Sequence, residues 1–121
     1  MASRLDGLPI LVVEDEPVAA LALALSLDNV GARVITARSL QEARAIIEEH
    51  TWSAAVLDYG LCDGDCSPLC EWMLERSIPF IVCTVHDEIS ASCRAGIHVL
   101  KPTNVEALVK MVEQLIHREG S

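Results

Sequence analysis

Five short apolar runs, rich in β-branched residues, alternate with helix-length segments along this chain, and this alternation constrains its fold more than any other feature. The runs cover residues 10–13, 32–36, 54–57, 80–84 and 97–100. Their length and composition predict buried strands. Strands that alternate with helices form right-handed βαβ units, so we expect an α/β fold in three layers. Its doubly wound parallel sheet has strand order 2-1-3-4-5 and helices on both faces.

Helices are predicted at residues 16–29, from Ser39 onward, at about 67–76, at 88–95 and at 104–118. Pro17 suits the first turn of a helix, where its missing N–H is not needed. Ser39 precedes the second helix as an N-cap, with Glu42 at the capping-box spacing. In the first helix, residues 18–25 are apolar without a break. They cannot all lie on one buried face, so one side, which includes Leu21 and Leu25, must project outward.

Composition and charge limit the possible partners. The 121 residues, 51% of them apolar, suffice for a single domain over residues 1–121 with a core at about 8–118. A net charge of −9 argues against nucleic acid and anionic membranes as partners. The start of the chain lacks the pattern of an export signal, and the apolar run at 18–25 is too short to cross a bilayer. We therefore expect a cytoplasmic location.

The five cysteines are an odd number in a chain without the composition of a disulfide scaffold. This favours free thiols in a reducing compartment. Cys62, Cys66 and Cys70 recur every four residues, which raises the alternative of a metal site. The paired spacings of structural zinc sites are missing, and no histidine lies in that stretch. We interpret these cysteines as small buried or half-buried thiols.

Polar side chains stand at the predicted strand ends near the point where the strand order reverses. Glu14 and Asp15 follow the first strand, Asp58 follows the third, Thr84 ends the fourth and Lys101 follows the fifth. Ligands of such sheets bind at the carboxyl ends of the strands, close to this point. Three carboxylates crowded there would repel one another unless a cation lay among them. Oxygen donors without nearby histidine or cysteine favour Mg²⁺.

With a divalent cation in place, a carboxylate can act as a nucleophile towards phosphorus, and Asp58 is the best candidate. The segment 59–64 that follows it contains two glycines, which leave room for a phosphoryl donor and offer a backbone carbonyl, at Gly60, as a metal ligand. Lys101 supplies positive charge to the phosphoryl oxygens, and the Thr84 hydroxyl can hydrogen-bond them. The pattern therefore predicts phosphoryl transfer to Asp58.

Four parts of the sequence resemble the receiver domains of bacterial two-component response regulators, in particular short stand-alone receivers. They are the 12–17 segment (Val-Val-Glu-Asp-Glu-Pro), the 56–58 segment (Val-Leu-Asp), Thr84, and the pair Lys101 and Pro102. The resemblance covers nearly the whole chain and implies a flavodoxin-like fold. It also implies that Glu14 and Asp15 hold Mg²⁺ and that a histidine kinase or a histidine phosphotransfer protein phosphorylates Asp58. Thr84 and Lys101 would sense the phosphate, and His98 would occupy the position of the family's aromatic switch residue.

Two departures from the family pattern stand near Asp58. Val85 follows Thr84 where the family prefers a smaller residue, and the segment near Cys62 lacks the usual proline. We expect Val85 to narrow the access to Asp58. The resemblance further implies that the first helix docks the kinase or phosphotransfer protein, which leads to the hypothesis that the outward leucines bind it.

The expected output is contact with a downstream protein, with a homodimer as one possibility, and no enzyme activity beyond accepting the phosphoryl group and hydrolysing it slowly. Two alternatives remain open: an unphosphorylated receiver-like scaffold, and a receiver cut from a larger regulator or hybrid kinase. A phosphatase acting on small molecules is disfavoured, because Gly60 stands where a second acid/base carboxylate would be needed.

Overall fold

The computed structural model of the protein describes residues 5–85, 88–101 and 103–120. In chain order the elements are β1 (Pro9–Val13), α1 (Pro17–Asn29), β2 (Arg33–Ala37), α2 (Leu40–Ile47), β3 (Ala54–Asp58), β4 (Gly60–Leu61), β5 (Gly64–Asp65), α3 (Ser67–Glu75), β6 (Phe80–Thr84), α4 (Ala91–Arg94), β7 (Ile97–Leu100) and α5 (Val105–Gly120). The fourth and fifth apolar runs coincide with β6 and β7, and the first three runs match their strands to within one residue at each end.

The main sheet has five parallel strands in the order β2-β1-β3-β6-β7. This is the predicted order 2-1-3-4-5, because β4 and β5 form a separate two-stranded antiparallel hairpin. Val13 pairs with Ala37 on one side and with Leu57 on the other, and Asp58 pairs with Cys83. The carboxyl ends of β1, β3 and β6 therefore lie side by side at one edge of the sheet.

Two hydrophobic layers cover the faces of the sheet. Leu11 and Val13 of β1 face a cluster that includes Met73 of α3, with further residues from α2 and α4. Ile10 and Val12 face the other cluster, which α1 and α5 complete through residues such as Leu27 and Val112. Successive side chains of a strand point to opposite faces, so a strand buried on both sides is apolar throughout. The three-layer α/β prediction is confirmed.

Side-chain caps fix several helix ends. The Ser39 hydroxyl accepts a hydrogen bond from the Glu42 N–H at 3.0 Å, and the Glu42 carboxylate accepts from the Arg38 N–H at 3.2 Å, which confirms the predicted start of α2. The prediction of a helix over 88–95 is wrong in length, because Ser90 has extended backbone and accepts from the Cys93 N–H. Helical backbone begins only after this cap, so α4 is a single turn.

The predicted outward stripe of α1 is present. Val18, Leu21 and Leu25 are 74%, 60% and 55% exposed, whereas Leu23 and Leu27 are buried against the sheet. An apolar helix that covers only one sheet face must leave part of its surface to solvent. Among the described residues, no helix is long and apolar enough to span a membrane.

The prediction that all cysteines stay free is wrong for Cys70 and Cys93, which form a disulfide between α3 and α4. Cys66 is free and buried, as predicted, whereas Cys62 is free but exposed, so the prediction of a buried or half-buried thiol is wrong for Cys62. Cys83 is also free and buried. The spacing of Cys62, Cys66 and Cys70 along one segment carried no information about Cys93, which lies 23 residues beyond Cys70.

Gly96 provides a test of how tightly β7 joins the core. A Cβ atom at Gly96 would lie 2.7 Å from the Phe80 carbonyl oxygen and closer still to the Phe80 ring, which is buried in the core. Gly96→Ala should therefore lower the free energy of unfolding by about 1–3 kcal/mol, measured by urea denaturation. Gly60→Ala is the matched control, because its Cβ would meet no described atom within 4 Å. Equal stability of the two variants would contradict this packing.

Candidate functional site

The site lies at the carboxyl edge of the sheet, where the predicted polar residues come together. Asp58 is the last residue of β3, and Thr84 is the last residue of β6. Glu14 and Asp15 come directly after β1, and Lys101 comes directly after β7. Parallel strands in register deliver all of these residues to the same edge. The predicted convergence of these residues at one edge is therefore present.

Lys101 joins the ends of three strands. Its Nζ lies 2.9 Å from Oδ1 of Asp58 and 3.8 Å from Oε1 of Glu14. Its backbone N–H donates to the Thr84 carbonyl oxygen at 2.7 Å, which continues the pairing of β7 with β6 beyond Leu100. The ammonium group is thereby fixed beside the central carboxylate.

The carboxylates of Glu14, Asp15 and Asp58 each place an oxygen within 4.8 Å of the other two. Asp58 is buried at 8% exposure, and the Glu14 side chain is 13% exposed. Burial, followed by the hydrogen bond and charge of Asp58, raises the pKa of Glu14 to about 8, although Lys101 acts in the opposite direction. Such a shift indicates a cluster whose negative charge Lys101 does not fully offset.

Lys101 responds to the same charges. Burial acts to lower its pKa, but the hydrogen bond and charge of Asp58, together with the charge of Glu14, outweigh burial and raise the pKa overall. The ammonium group is therefore held charged within the site. Three oxygen donors of one sign beside a single contacting ammonium form a donor set that fits a hard divalent cation.

A small cavity of about 170 Å³ opens onto Asp58, and Gly60, Thr84, Val85 and Lys101 line it together with Tyr59. The Thr84 side chain is buried at the site. Val85, one of the lining residues, is largely exposed, and the prediction that it narrows access to Asp58 stays a prediction. The cavity has room for a group of phosphate size directly in front of the carboxylate.

The hairpin after Asp58 was missed by sequence reasoning. Its turn carries Asp63, whose carboxylate accepts hydrogen bonds from the N–H groups of Leu40 at 2.9 Å and Gln41 at 3.1 Å. These bonds lower the pKa of Asp63 and attach the hairpin to the first turn of α2. Gly60 lies in β4, at the start of this hairpin. The capping carboxylate lies more than twenty residues from the helix start that it caps, so it leaves no local signal in the sequence.

His98 lies on β7, the edge strand of the sheet, where it pairs with Val82 and is half-buried. Its role as a switch residue stays a prediction. Pro102, the second residue of the Lys101 motif, lies outside the described residues.

A family model for the response regulator receiver domain matches residues 10–113. The chain belongs to this family. It is a receiver domain of two-component systems, and receiver domains are phosphoacceptor signalling domains, generally not catalytic enzymes. They bind Mg²⁺ at an acidic site and interact with kinases, phosphotransfer proteins and downstream effectors. The acidic cluster of this chain is formed by Glu14, Asp15 and Asp58.

Individual relatives agree with this assignment. The chain is 30% identical over 118 residues to the transcriptional regulatory protein PhoP of Escherichia coli O157:H7. The aligned region covers 92% of this chain and 53% of PhoP. The chain thus spans about half the length of the curated relatives that it matches. A putative response regulator from Chloroflexus aurantiacus is similar in structure, with a TM-score of 0.79, 28% identity and coverage of 93% of this chain and all of that chain. The beryllofluoride-activated NtrC4 receiver domain dimer gives a TM-score of 0.78 and 27% identity over 91% of this chain and 97% of that chain.

Proposed function

We propose that this receiver takes a phosphoryl group on Asp58 and passes on the signal through contact with another protein. The observation that carries this proposal is the contact of 2.9 Å between Lys101 Nζ and Asp58 Oδ1 inside a cluster of three carboxylates. The contact holds one carboxylate oxygen of Asp58, and the adjacent cavity gives a donor access to the site. In the transfer, an oxygen of Asp58 forms a bond to phosphorus while the bond between phosphorus and the donor breaks.

The neighbouring side chains have separate roles in this proposal. Lys101 stays protonated beside Asp58 and neutralises charge on the phosphoryl oxygens. Thr84 ends β6 at the cavity wall, where its hydroxyl can donate to the same oxygens. Glu14, Asp15, Asp58 and the Gly60 carbonyl would hold Mg²⁺, which supplies further positive charge at the transferring group. His98, on the edge strand, would respond to the resulting change at Thr84.

The proposed partners are proteins that donate a phosphoryl group and dock on an exposed apolar surface of the receiver. The proposed donors are a histidine kinase or a histidine phosphotransfer protein, and the exposed leucines of α1 are the proposed docking surface. We further propose a single domain over residues 1–121, a cytoplasmic location, no nucleic-acid or membrane partner, and dimerisation as one route to output. The NtrC4 receiver is a dimer in its activated form.

A second candidate is that this chain is the receiver portion of a larger regulator or hybrid kinase. The coverage of the curated relatives favours it, because the chain matches only about half of their length. The chemistry at Asp58 is the same in both cases, and the output then passes to a covalently attached domain.

Removal of one metal-binding carboxylate should abolish stabilisation by Mg²⁺. We expect saturating Mg²⁺ to raise the Tm of the wild-type protein by about 5 °C, because a ligand of the folded state stabilises it by mass action. Asp15→Asn should lose most of this rise and, without the metal, be at least as stable as the wild type, because it removes a repelling charge. Asp28→Asn, an exposed position near the end of α1, is the control. An equal rise in all three proteins would exclude the acidic cluster as the metal site.

Incubation with acetyl phosphate and Mg²⁺ should add one phosphoryl group, seen by intact-protein mass spectrometry. Asp58→Asn should not gain this mass. Lys101→Ala should gain it at least about tenfold more slowly, whereas Lys110→Ala, on the exposed side of α5, should match the wild type. The absence of any adduct on a folded wild-type protein would favour the unphosphorylated scaffold, and Val85→Ala would then test whether Val85 blocks access.

Leu21→Glu should slow phosphorylation by a protein donor by about tenfold while leaving the reaction with acetyl phosphate unchanged. The reason is that a charge in the exposed stripe opposes docking but does not reach Asp58. The rates would be measured with whichever phosphohistidine protein transfers fastest to the wild type. Leu74→Glu is the matched control, because Leu74 is an exposed leucine of α3 on the other side of the sheet. Equal slowing by both substitutions would argue against α1 as the docking surface.

A further inference from the structure

Three sulfur atoms meet in the core between α3 and α4, and none of them belongs to the carboxylate cluster. Cys70 and Cys93 are bonded to each other, with their Cα atoms 5.2 Å apart. The Cys66 Sγ lies 3.8 Å from the sulfur of each. All three side chains have 0% exposure and belong to the same apolar cluster as Leu69 and Met73. Neither the family assignment nor the proposed phosphorylation explains this cluster.

The apolar surroundings favour a disulfide over a metal site. Metal binding needs thiolates, and burial, with the nearby charges of Asp65 and Asp58, raises the pKa of Cys66 to about 12. A disulfide is neutral and is well accommodated in an apolar core, whereas a cluster of thiolates and a metal ion there would need compensating charge. The Cα separation of Cys70 and Cys93 also falls within the range that a disulfide bridges without movement of the backbone.

The position of the bond gives it a mechanical effect. α4 is a single turn of four residues, too short to be stable without tertiary contacts. A second link runs parallel to the disulfide, since the Ser67 hydroxyl donates to the Ser90 hydroxyl at 2.7 Å and Ser90 caps α4. The segment between Thr84 and Cys93 is therefore held at the sheet edge at one end and on α3 at the other.

We infer that Cys70 and Cys93 form a reversible redox crosslink that fixes α4 on α3, with low-molecular-weight disulfides such as oxidised glutathione as the oxidant. In the forward direction two thiols lose their protons and two electrons and form one S–S bond, while the S–S bond of the oxidant breaks and yields two thiols. Dithiols reverse the reaction. In a chain with a cytoplasmic location, such a bond is typically transient and redox-sensing rather than structural.

Cys66 has a different role from the other two. Its sulfur lies 3.8 Å from both bonded sulfurs. It is nevertheless a free thiol, because the disulfide joins Cys70 to Cys93. Cys66 therefore takes no part in the crosslink. Cys66→Ala is a matched control, because it removes one sulfur from the same buried site and leaves the Cys70–Cys93 pair intact.

The test equilibrates the Cys62→Ser protein, which lacks the exposed thiol, in glutathione buffers of defined ratio. Free thiols are then alkylated under denaturing conditions, and the crosslinks are located by peptide mapping. A Cys70–Cys93 crosslink should appear in oxidised buffer, disappear with dithiothreitol, persist in Cys66→Ala and be absent from Cys93→Ala. A crosslink that includes Cys66, or no crosslink at any glutathione ratio, would overturn the proposal.

Hydrogen exchange on the wild-type fold tests the mechanical effect and does not depend on any variant being stable. The amides of Arg94, Ala95 and Gly96 donate to the backbone carbonyls of Ser90, Ser92 and Cys93, respectively. Reduction should accelerate their exchange by about tenfold or more, because the crosslink closes a loop of 23 residues, while amides of β1 should change little. Equal protection in both states would overturn the proposal. Stoichiometric Zn²⁺ binding by the reduced protein that is lost in both Cys66→Ala and Cys93→Ala would overturn it in favour of a metal site.

Discussion

The register of the parallel sheet is the constraint on which the rest of the structure depends. Strands β1, β3 and β6 end at the same edge because Val13 pairs with Leu57 and Asp58 pairs with Cys83. A shift of one residue in either pairing would turn the apolar side chains of a central strand to the opposite layer. Both layers are closely packed, so the register is fixed by the core, and the positions of Glu14 and Asp58 follow from it. The charged site is thus positioned by apolar packing.

The site itself is electrostatically unfavourable, and the core compensates for it. Burial and the charge of Asp58 raise the pKa of Glu14 to about 8, so the carboxylates oppose one another in the folded state. Lys101 relieves part of this repulsion, because its ammonium contacts both groups. The hydrogen bond from the Lys101 backbone N–H to the Thr84 carbonyl oxygen holds the Lys101 backbone on the sheet, which positions its ammonium group. Functional sites commonly retain such unfavourable charge arrangements, and the surrounding structure supplies the stability.

The elements that sequence reasoning predicted well are those whose signal is local. The run at 80–84 coincides with β6 because a strand buried on both faces is apolar along nearly all of its length. The run at 97–100 coincides with β7, although this edge strand is only partly buried. The start of α2 was predictable because its caps are local: the Ser39 hydroxyl accepts from the Glu42 N–H, and the Glu42 carboxylate accepts from the Arg38 N–H. The convergence of Asp58, Thr84 and Lys101 followed from strand order alone, since each residue directly ends or follows a strand.

The features that sequence reasoning missed depend on contacts between distant segments. Periodicity shows which face of a helix is buried but not which element covers it, so the pairing of Cys70 with Cys93 left no sequence signal. Asp63 looked like an ordinary loop residue until the fold placed it at the first turn of α2. The length of α4 was overestimated because Ser90 was not recognised as its cap, and the apolar Ile89 before that cap packs into the core without being helical.

The two sheet faces carry different parts of the receiver. The exposed leucines belong to α1, which packs with α5 on the layer of Val12, whereas the cysteine cluster lies between α3 and α4 on the layer of Leu11. The five-stranded sheet separates these two layers. A partner on α1 and a crosslink at α4 therefore do not compete for surface. β6 connects the site with the crosslinked face along the chain, since its last residue, Thr84, lines the cavity and α4 is the next helix.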